Sequence, residues 1–173
     1  PSFTNVPNEF LESYFPLRID IYETIADTGG AGKNRGGNGL RIGYRFLEQG
    51  EISIHDDRWL TYPWGVTGGL PCARSRKTPI RNNGKKVLLP SKCDRIPVFE
   101  GELLYFDTWG GGGWGDPLDR PYDEVLHDLR WCKVSVAGAA TDYGVVVTGD
   151  ADEHIRAHLR IAARLDSDRE AAV

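Results

Sequence analysis

The sequence predicts an α+β fold that is mainly β, in which antiparallel strands and hairpins carry glycine-rich loops and are closed by C-terminal helices. Three observations favour it: short runs of alternating apolar and polar residues, two glycine-rich stretches between them, and a change to helical spacing near residue 122. At 173 residues the chain can bury one sizeable core. We therefore expect a β-rich domain over residues 1–149 and an amphipathic helix with a polar tail over residues 150–173.

The chain opens with a predicted helix and a predicted strand. In NEFLESYF the apolar residues recur at helical spacing, Asn8 can serve as the N-cap, and Pro16 ends the helix. The next run, LRIDIYETI, alternates apolar and polar residues. This alternation indicates a strand with one buried face.

The middle of the chain predicts further strands joined by turns. In LRIGYRFLEQGEISIHDDRW two alternating runs flank EQGE, as in a β-hairpin. The segment PWGVTGGLPCARSRKTPIRNNGKKVLLPS is rich in loop-forming residues, and NNG within it is a strong turn signal. The run DRIPVFEGELLYFDTW then predicts two strands joined at EG.

Helical spacing replaces alternation after the second glycine-rich stretch. Val125, Leu126, Leu129 and Cys132 recur at the spacing of a helix predicted near residues 122–134, and acidic residues favour its amino end. The last segment, DEHIRAHLRIAARLDSDREAAV, predicts the amphipathic helix and its polar tail.

Composition excludes several classes of protein. The net charge is −4 and the basic residues are scattered, so nucleic-acid binding is not expected. The longest apolar run, YGVVV, is too short for a membrane helix. Three cysteines without CxxC spacing, and no charged and apolar leader, favour the cytoplasm. The chain has no methionine and begins with Pro1, which is interpreted either as an excerpt of a longer polypeptide or as removal of the initiator.

The stretch DTWGGGGWGDP raises the question of a phosphate site, because successive glycine N–H groups can surround an anion. Neither glycine-rich stretch has the P-loop pattern, and the first leads towards a strand rather than a helix. We favour a structural role, in which glycines such as Gly111 and Gly112 let the backbone turn tightly beside Trp109 and Trp114. The alternative is that this loop lines a cleft or an interface.

Among polar residues, Lys33 and Arg35 are the best candidates, because cations on a glycine-rich loop can reach a phosphorylated intermediate or an acidic partner surface. His154 and His158 have metal-ligand spacing but lie among arginines, and a solvated face is preferred. No catalytic residue and no metal ligand is assigned to this chain.

Other polar residues are weaker candidates for a site. His55 stands beside two aspartates, but neighbours on a strand face opposite ways. Cys93 has basic neighbours but no nucleophile motif, so a buried structural thiol is preferred. Asp27 and Asp116 flank glycine turns and are expected to fix them.

Four motifs in order carry a family resemblance: DTGGAGKNRGGNGL, WGVTGGLPCA, LPSKCDRIPVFEGELLYFDTWGGGGWGDPLDR and DYGVVV. Between about Asn5 and at least Val147 the chain resembles the C-terminal part of hydantoinase B/oxoprolinase proteins. The resemblance implies a subunit or domain that works with a hydantoinase A-type partner in ATP-dependent opening of hydantoins, 5-oxoproline or other lactams. In the related acetone and acetophenone carboxylases it implies ATP-dependent carboxylation of ketones.

The resemblance also implies where the cofactors lie. ATP is expected on the A-type partner and a divalent metal on the N-terminal part of the B-type chain, so this chain is expected to bind no cofactor and to be inactive alone. A further alternative is a non-catalytic assembly module, in which Trp59, Trp64, Trp109 and Trp114 are buried against a larger subunit.

Overall fold

The computed structural model describes residues 6–147, and within this range it contains six β-strands, three α-helices and one 3-10 helix. The elements in chain order are α1 (Asn8–Tyr14), β1 (Leu17–Thr24), β2 (Leu40–Phe46), β3 (Gly50–His55), β4 (Arg76–Ile80), β5 (Lys92–Val98), β6 (Leu103–Asp107), the 3-10 helix (Pro117–Asp119), α2 (Tyr122–Arg130) and α3 (Val136–Tyr143). The mainly β, antiparallel α+β fold is thereby confirmed.

These residues form two compact units, which are described separately. The strand unit comprises residues 6–23, 40–61 and 75–108, and the glycine unit comprises residues 24–39, 62–74 and 109–147. The domain division predicted from sequence stays a prediction, since residues 148–173, where the last helix is expected, lie outside the described part.

The strand unit contains a four-stranded sheet in the order β1-β2-β6-β4. Strands β2 and β6 pair antiparallel, with Arg41 opposite Asp107, and β4 pairs antiparallel with the other edge of β6. Helix α1 and strand β1 occur where the sequence predicts them, but Asn8 is the first residue of α1 and not its N-cap, which is Pro7. Burial alternates along β1 because only one face of the strand is covered.

Strands β2 and β3 do not form the predicted hairpin, although both strands exist. Strand β3 pairs instead with β5 in a separate two-stranded sheet. Arg45 stands opposite Leu103 in the first sheet, and Gly50 stands opposite Val98 in the second. The segment β2–β3 therefore keeps one pairing register with the segment β5–β6, and both segments bend between the two sheets. A two-residue hairpin turn requires positive φ, and Gly50 is not among the glycines that adopt it.

Strand β4 lies in a segment that sequence reasoning assigned to loops. Its residues, RKTPI, are mostly polar or carry proline, so they give no alternation signal. The turn predicted at NNG directly follows β4 and is confirmed, because Gly84 has φ of 76° and its N–H donates to the Arg81 carbonyl at 2.8 Å. The buried apolar core of the strand unit contains Phe46, Ile54, Leu89, Val98 and Leu104.

The glycine unit has irregular segments and two helices. Helix α2 begins at Tyr122 as predicted but ends at Arg130, and the chain then starts α3, which was not predicted. Its signals are present in the sequence: Ser135 accepts a hydrogen bond from the Gly138 N–H at 2.9 Å, and Gly144 ends the helix with φ of 66°. The buried core of this unit contains Ala31, Val125, Leu129, Val134, Ala139 and Tyr143.

Among residues 6–147, no helix has the length and apolar character that crossing a membrane requires.

Candidate functional site

Three extended segments of the glycine unit lie side by side and are joined through their backbones. The Gly30 N–H donates to the Gly111 carbonyl at 2.8 Å, and the Gly111 N–H donates to the Gly37 carbonyl at 2.8 Å. On the other side, the Gly113 N–H donates to the Leu70 carbonyl at 3.0 Å. We call this arrangement, formed by residues 29–37, 64–70 and 110–115, the glycine layer.

Side chains are excluded from most of this layer by the closeness of neighbouring backbones. A Cβ atom added to Gly36 would lie well under 3.0 Å from the Gly111 carbonyl, and one added to Gly112 would meet the Trp64 carbonyl in the same way. Gly113 and Gly69 are equally crowded by backbone atoms. Backbone cannot move aside as a flexible side chain can, so glycine is required at these positions.

Trp114 occupies the centre of the layer. It pairs with Asn34 through two reciprocal backbone hydrogen bonds of 2.9 Å, and it forms a parallel bridge with Val66. Residues opposite one another in a β-bridge present their side chains to the same face, so these three side chains form one row. We call it the Trp114 row (Asn34, Trp114 and Val66); Trp114 is 49% exposed and Val66 is 52% exposed.

A buried carboxylate anchors the first glycine-rich stretch to helix α2. Asp128 accepts from Arg35 Nε at 3.1 Å and from Arg120 Nη2 at 2.9 Å. The Arg35 guanidinium also donates to the Gly36 carbonyl at 2.7 Å and to Asn38 Oδ1 at 2.9 Å. Arg120 Nε is buried without a hydrogen-bond partner among the described residues. The two arginines thus hold the loop backbone in place around Asp128.

Tyr143 lies in the core next to this cluster. Burial raises the pKa of Tyr143 to about 12, against the opposing effect of Arg120 and Arg35. The phenol therefore stays neutral at physiological pH, and the cluster carries its charge on the arginines and Asp128.

The two candidate cations of the first glycine-rich stretch, Lys33 and Arg35, have different surroundings. Lys33 is exposed, and its carbonyl accepts from Arg120 Nη1 at 2.9 Å. The Arg35 side chain is only 12% exposed and is bonded to Asp128 and to neighbouring loop atoms. Trp109 is exposed, as is Gly111, while Gly112 is partly buried in the layer. Sequence reasoning did not single out Asn34, Val66, Arg120 or Asp128, whose partners are distant along the chain.

The remaining sequence candidates are scattered. His55 is exposed and lies 3.1 Å from Asp94, away from its buried neighbour Asp56. Cys93 is half-buried and packs against the core of the strand unit. Asp27 accepts from the Ser135 N–H at 2.8 Å, so it serves local structure. No group of three or more His, Cys, Asp or Glu residues able to hold a metal ion occurs within residues 6–147, and His154 and His158 lie outside that range.

The strand unit contains a second buried ionic cluster. Lys77 is 0% exposed, and its Nζ donates to Asp56 Oδ2 at 2.9 Å and to the Asp107 carbonyl at 3.0 Å. Ser75 Oγ donates to the same Asp56 carboxylate, and Lys77 Nζ lies 3.9 Å from the centroid of the Phe106 ring. Burial lowers the pKa of Lys77, which the Asp56 carboxylate opposes. A fully buried ammonium cannot meet a substrate directly, so this cluster supports the fold.

Comparison with known proteins identifies the family. The model of the hydantoinase B/oxoprolinase family matches residues 1–117 of the chain. The chain belongs to the hydantoinase B/oxoprolinase family. Within it, the chain is 36% identical over 151 residues to an uncharacterised protein of Methanocaldococcus jannaschii, covering 87% of this chain and 26% of that protein.

Two further comparisons within the hydantoinase B family concern caprolactam. The chain is 32% identical over 160 residues to the caprolactamase subunit beta of Pseudomonas jessenii, covering 82% of this chain and 25% of the subunit. It also matches the crystal structure of ATP-dependent caprolactamase from Pseudomonas jessenii with a TM-score of 0.75 and 29% identity, over 88% of this chain and 28% of that one. The chain thus spans about a quarter of the length of these relatives.

Proposed function

We propose that the chain is the C-terminal domain, or a split subunit, of a cytoplasmic hydantoinase B-type protein that takes part in ATP-dependent hydrolysis of cyclic amides. The observation that carries this proposal is the match over 88% of the chain to ATP-dependent caprolactamase. The substrate class is a hydantoin, 5-oxoproline or another lactam. ATP is bound by a hydantoinase A-type partner, and a divalent metal by the N-terminal part of the B-type protein.

Within that assembly, the chain acts as a structural component rather than as the source of catalytic groups. Two observations support this role. Arg35, in the first glycine-rich stretch, is engaged with buried Asp128. The two described histidines, His55 and His127, are both exposed, and His55 is paired with Asp94. What the glycine unit does present is a rigid layer that carries exposed aromatic side chains.

Reconstitution tests the activity. The chain is combined with the N-terminal part of the B-type protein and with the A-type partner, and ring-opened product and ADP are measured for a hydantoin, 5-oxoproline and caprolactam. We expect ATP-dependent ring opening of at least one of them, and no turnover when the chain is left out. Absence of turnover on all three substrates would overturn the proposal.

The same reconstituted complex tests a second candidate function, the ATP-dependent carboxylation of ketones that the motif resemblance also implies. ATP consumption that requires both bicarbonate and acetone or acetophenone, without ring opening, would replace hydrolysis by carboxylation. The structural role of the chain would be the same in both cases.

A further inference from the structure

We propose that the Trp114 row is the surface on which the N-terminal part of the same hydantoinase B-type protein docks, through apolar contact. The identity of this occupant rests on the proposed function. The surface itself follows from the geometry of the glycine layer.

The backbone under the Trp114 row is rigid. On one side, Trp114 forms two backbone hydrogen bonds with Asn34. On the other side, the Val66 N–H donates to the Gly113 carbonyl and the Gly115 N–H donates to the Val66 carbonyl, which completes the parallel bridge. Crowded glycines such as Gly32 and Gly69 lie beside it, and a Cβ on Gly32 would meet the Trp114 backbone. An aromatic side chain on a fixed backbone loses little conformational entropy when it becomes buried in a contact.

The side chains of the row have the chemistry of an interface centre. Tryptophan is enriched at the centres of protein interfaces, where apolar contact is surrounded by polar groups that bond at the rim. The row has this composition, because the indole and the Val66 methyl groups are flanked by the Asn34 amide. Trp64, two residues before Val66, is 66% exposed and extends the apolar surface. The row carries no charge, so a neutral apolar protein surface suits it better than nucleic acid or a charged lipid surface.

The occupant of the row is inferred from the length of the relatives. In the relatives, the matching segment is about a quarter of a polypeptide whose other three quarters belong to the same protein. When the two parts are joined in one polypeptide, as they are in these relatives, a surface of the N-terminal part meets the row at a high effective concentration, which a separate subunit does not have. The N-terminal part is therefore the first surface that can bury the row, ahead of the A-type partner.

Tryptophan oxidation by hydroxyl radicals, followed by mass spectrometry, tests the proposal on the assembled B-type protein. The rate for each tryptophan is compared with its rate in denaturant, with and without the A-type partner. If the row is free, Trp114, which is 49% exposed, should be oxidised about twofold more slowly than in denaturant. If the row is docked, the oxidation of Trp114 should be slowed about tenfold or more. We expect the higher value for Trp114 before the A-type partner is added. Trp131, which is 67% exposed and outside the row, is the internal reference for folding and labelling.

A matched pair of variants sharpens the test. Val66→Asp places a carboxylate in the row, which docking would bury without a partner, so the Trp114 protection is expected to fall to about twofold. Val146→Asp is the control, since Val146 is 71% exposed in the same unit and outside the row.

Three results would overturn the proposal: twofold protection of Trp114 in all samples, protection that appears only with the A-type partner, or tenfold protection that persists in Val66→Asp. None of these readings depends on ATP turnover, so an inactive complex that still protects Trp114 would refute the proposed activity and leave the docking surface standing.

Discussion

The strand unit and the glycine unit solve the same packing problem in different ways. In the strand unit, β-ladders satisfy the backbone, and alternating side chains such as Phe46, Val98 and Leu104 fill the core. In the glycine layer, neighbouring backbones approach so closely that side chains are excluded between them. The strand unit therefore depends on the fit of side chains, which can repack, and the glycine layer depends on backbone contact, which cannot.

The two units also differ in the cation that pairs with their buried aspartate. Asp56 is paired with Lys77, which has no exposed surface, and with Ser75. Asp128 is paired with two arginines whose planar guanidinium groups also bond loop carbonyls. The lysine is a point charge that fixes one position on β6, whereas the arginines fix the course of an irregular loop.

The largest effect is expected from Gly36→Ala in the glycine layer. The added Cβ would lie well under 3.0 Å from the Gly111 carbonyl, and only a backbone shift can relieve this clash. We expect a loss of about 4 kcal/mol or more in the free energy of unfolding, measured by urea denaturation. Gly37→Ala is the matched control, because a Cβ there meets nothing within 4 Å, and it should cost less than about 1 kcal/mol. Equal losses in both variants would refute the backbone-contact account.

The next largest effect is expected from Lys77→Met in the strand unit. It leaves the Asp56 carboxylate buried without its cation, which should lower the free energy of unfolding by about 3–5 kcal/mol. The double variant Asp56→Asn with Lys77→Met removes both charges and should recover most of this loss. A double variant no more stable than Lys77→Met would mean that the loss comes from packing and not from the unpaired charge.

The units also differ in how far the sequence predicted them. In the strand unit, β1, β2, β3, β5 and β6 follow from alternation, which is a local property of the chain. The pairing of β2 with β6 and β3 with β5 is not local, and the sequence suggested a hairpin at EQGE instead. Strand β4 was missed because its second residue, Lys77, is charged yet buried beside a partner 21 residues away, Asp56.

In the glycine unit, the sequence showed where the glycines are but did not predict that they allow three backbone segments to pack closely. A turn beside Trp109 and Trp114 was expected, whereas the glycines pack three distant segments against one another. Arg35 was proposed for an anion or a partner because its carboxylate, Asp128, lies 93 residues further along the chain. Contacts at such separations leave no spacing in the sequence by which they could be recognised.

Tyr143 in the glycine unit and Lys77 in the strand unit are expected to change the free energy of unfolding in opposite directions as pH rises. Burial raises the pKa of Tyr143 from 10.0 to about 12, so between these values the unfolded chain loses the proton while the folded chain keeps it. Stability from this group is complete below pH 10 and is lost as pH rises towards 12. Wild type should lose about 2 kcal/mol relative to Tyr143→Phe over this range, measured by urea denaturation.

Lys77 in the strand unit should change stability with pH in the opposite direction to Tyr143. Its pKa is lowered by burial, so just below 10.5 the unfolded chain binds the proton more strongly, and wild type should gain stability relative to the double variant Asp56→Asn with Lys77→Met as pH rises. The same direction of change in both comparisons would show that at least one of these groups is not buried as described.

The smallest effect is expected from Gly43→Ala in the strand unit, where the glycine packs against a neighbouring side chain. The added Cβ would lie 3.0 Å from Ile21 Cβ and 3.2 Å from its Cγ1, so a side chain and not a backbone must yield. We expect a loss of about 1 kcal/mol in the free energy of unfolding. Because Ile21→Val shortens the side chain that must yield, the double variant should lose less than the sum of the two single losses. If Gly43→Ala were as damaging as Gly36→Ala, the contrast between a side chain that repacks and a backbone that does not would fail.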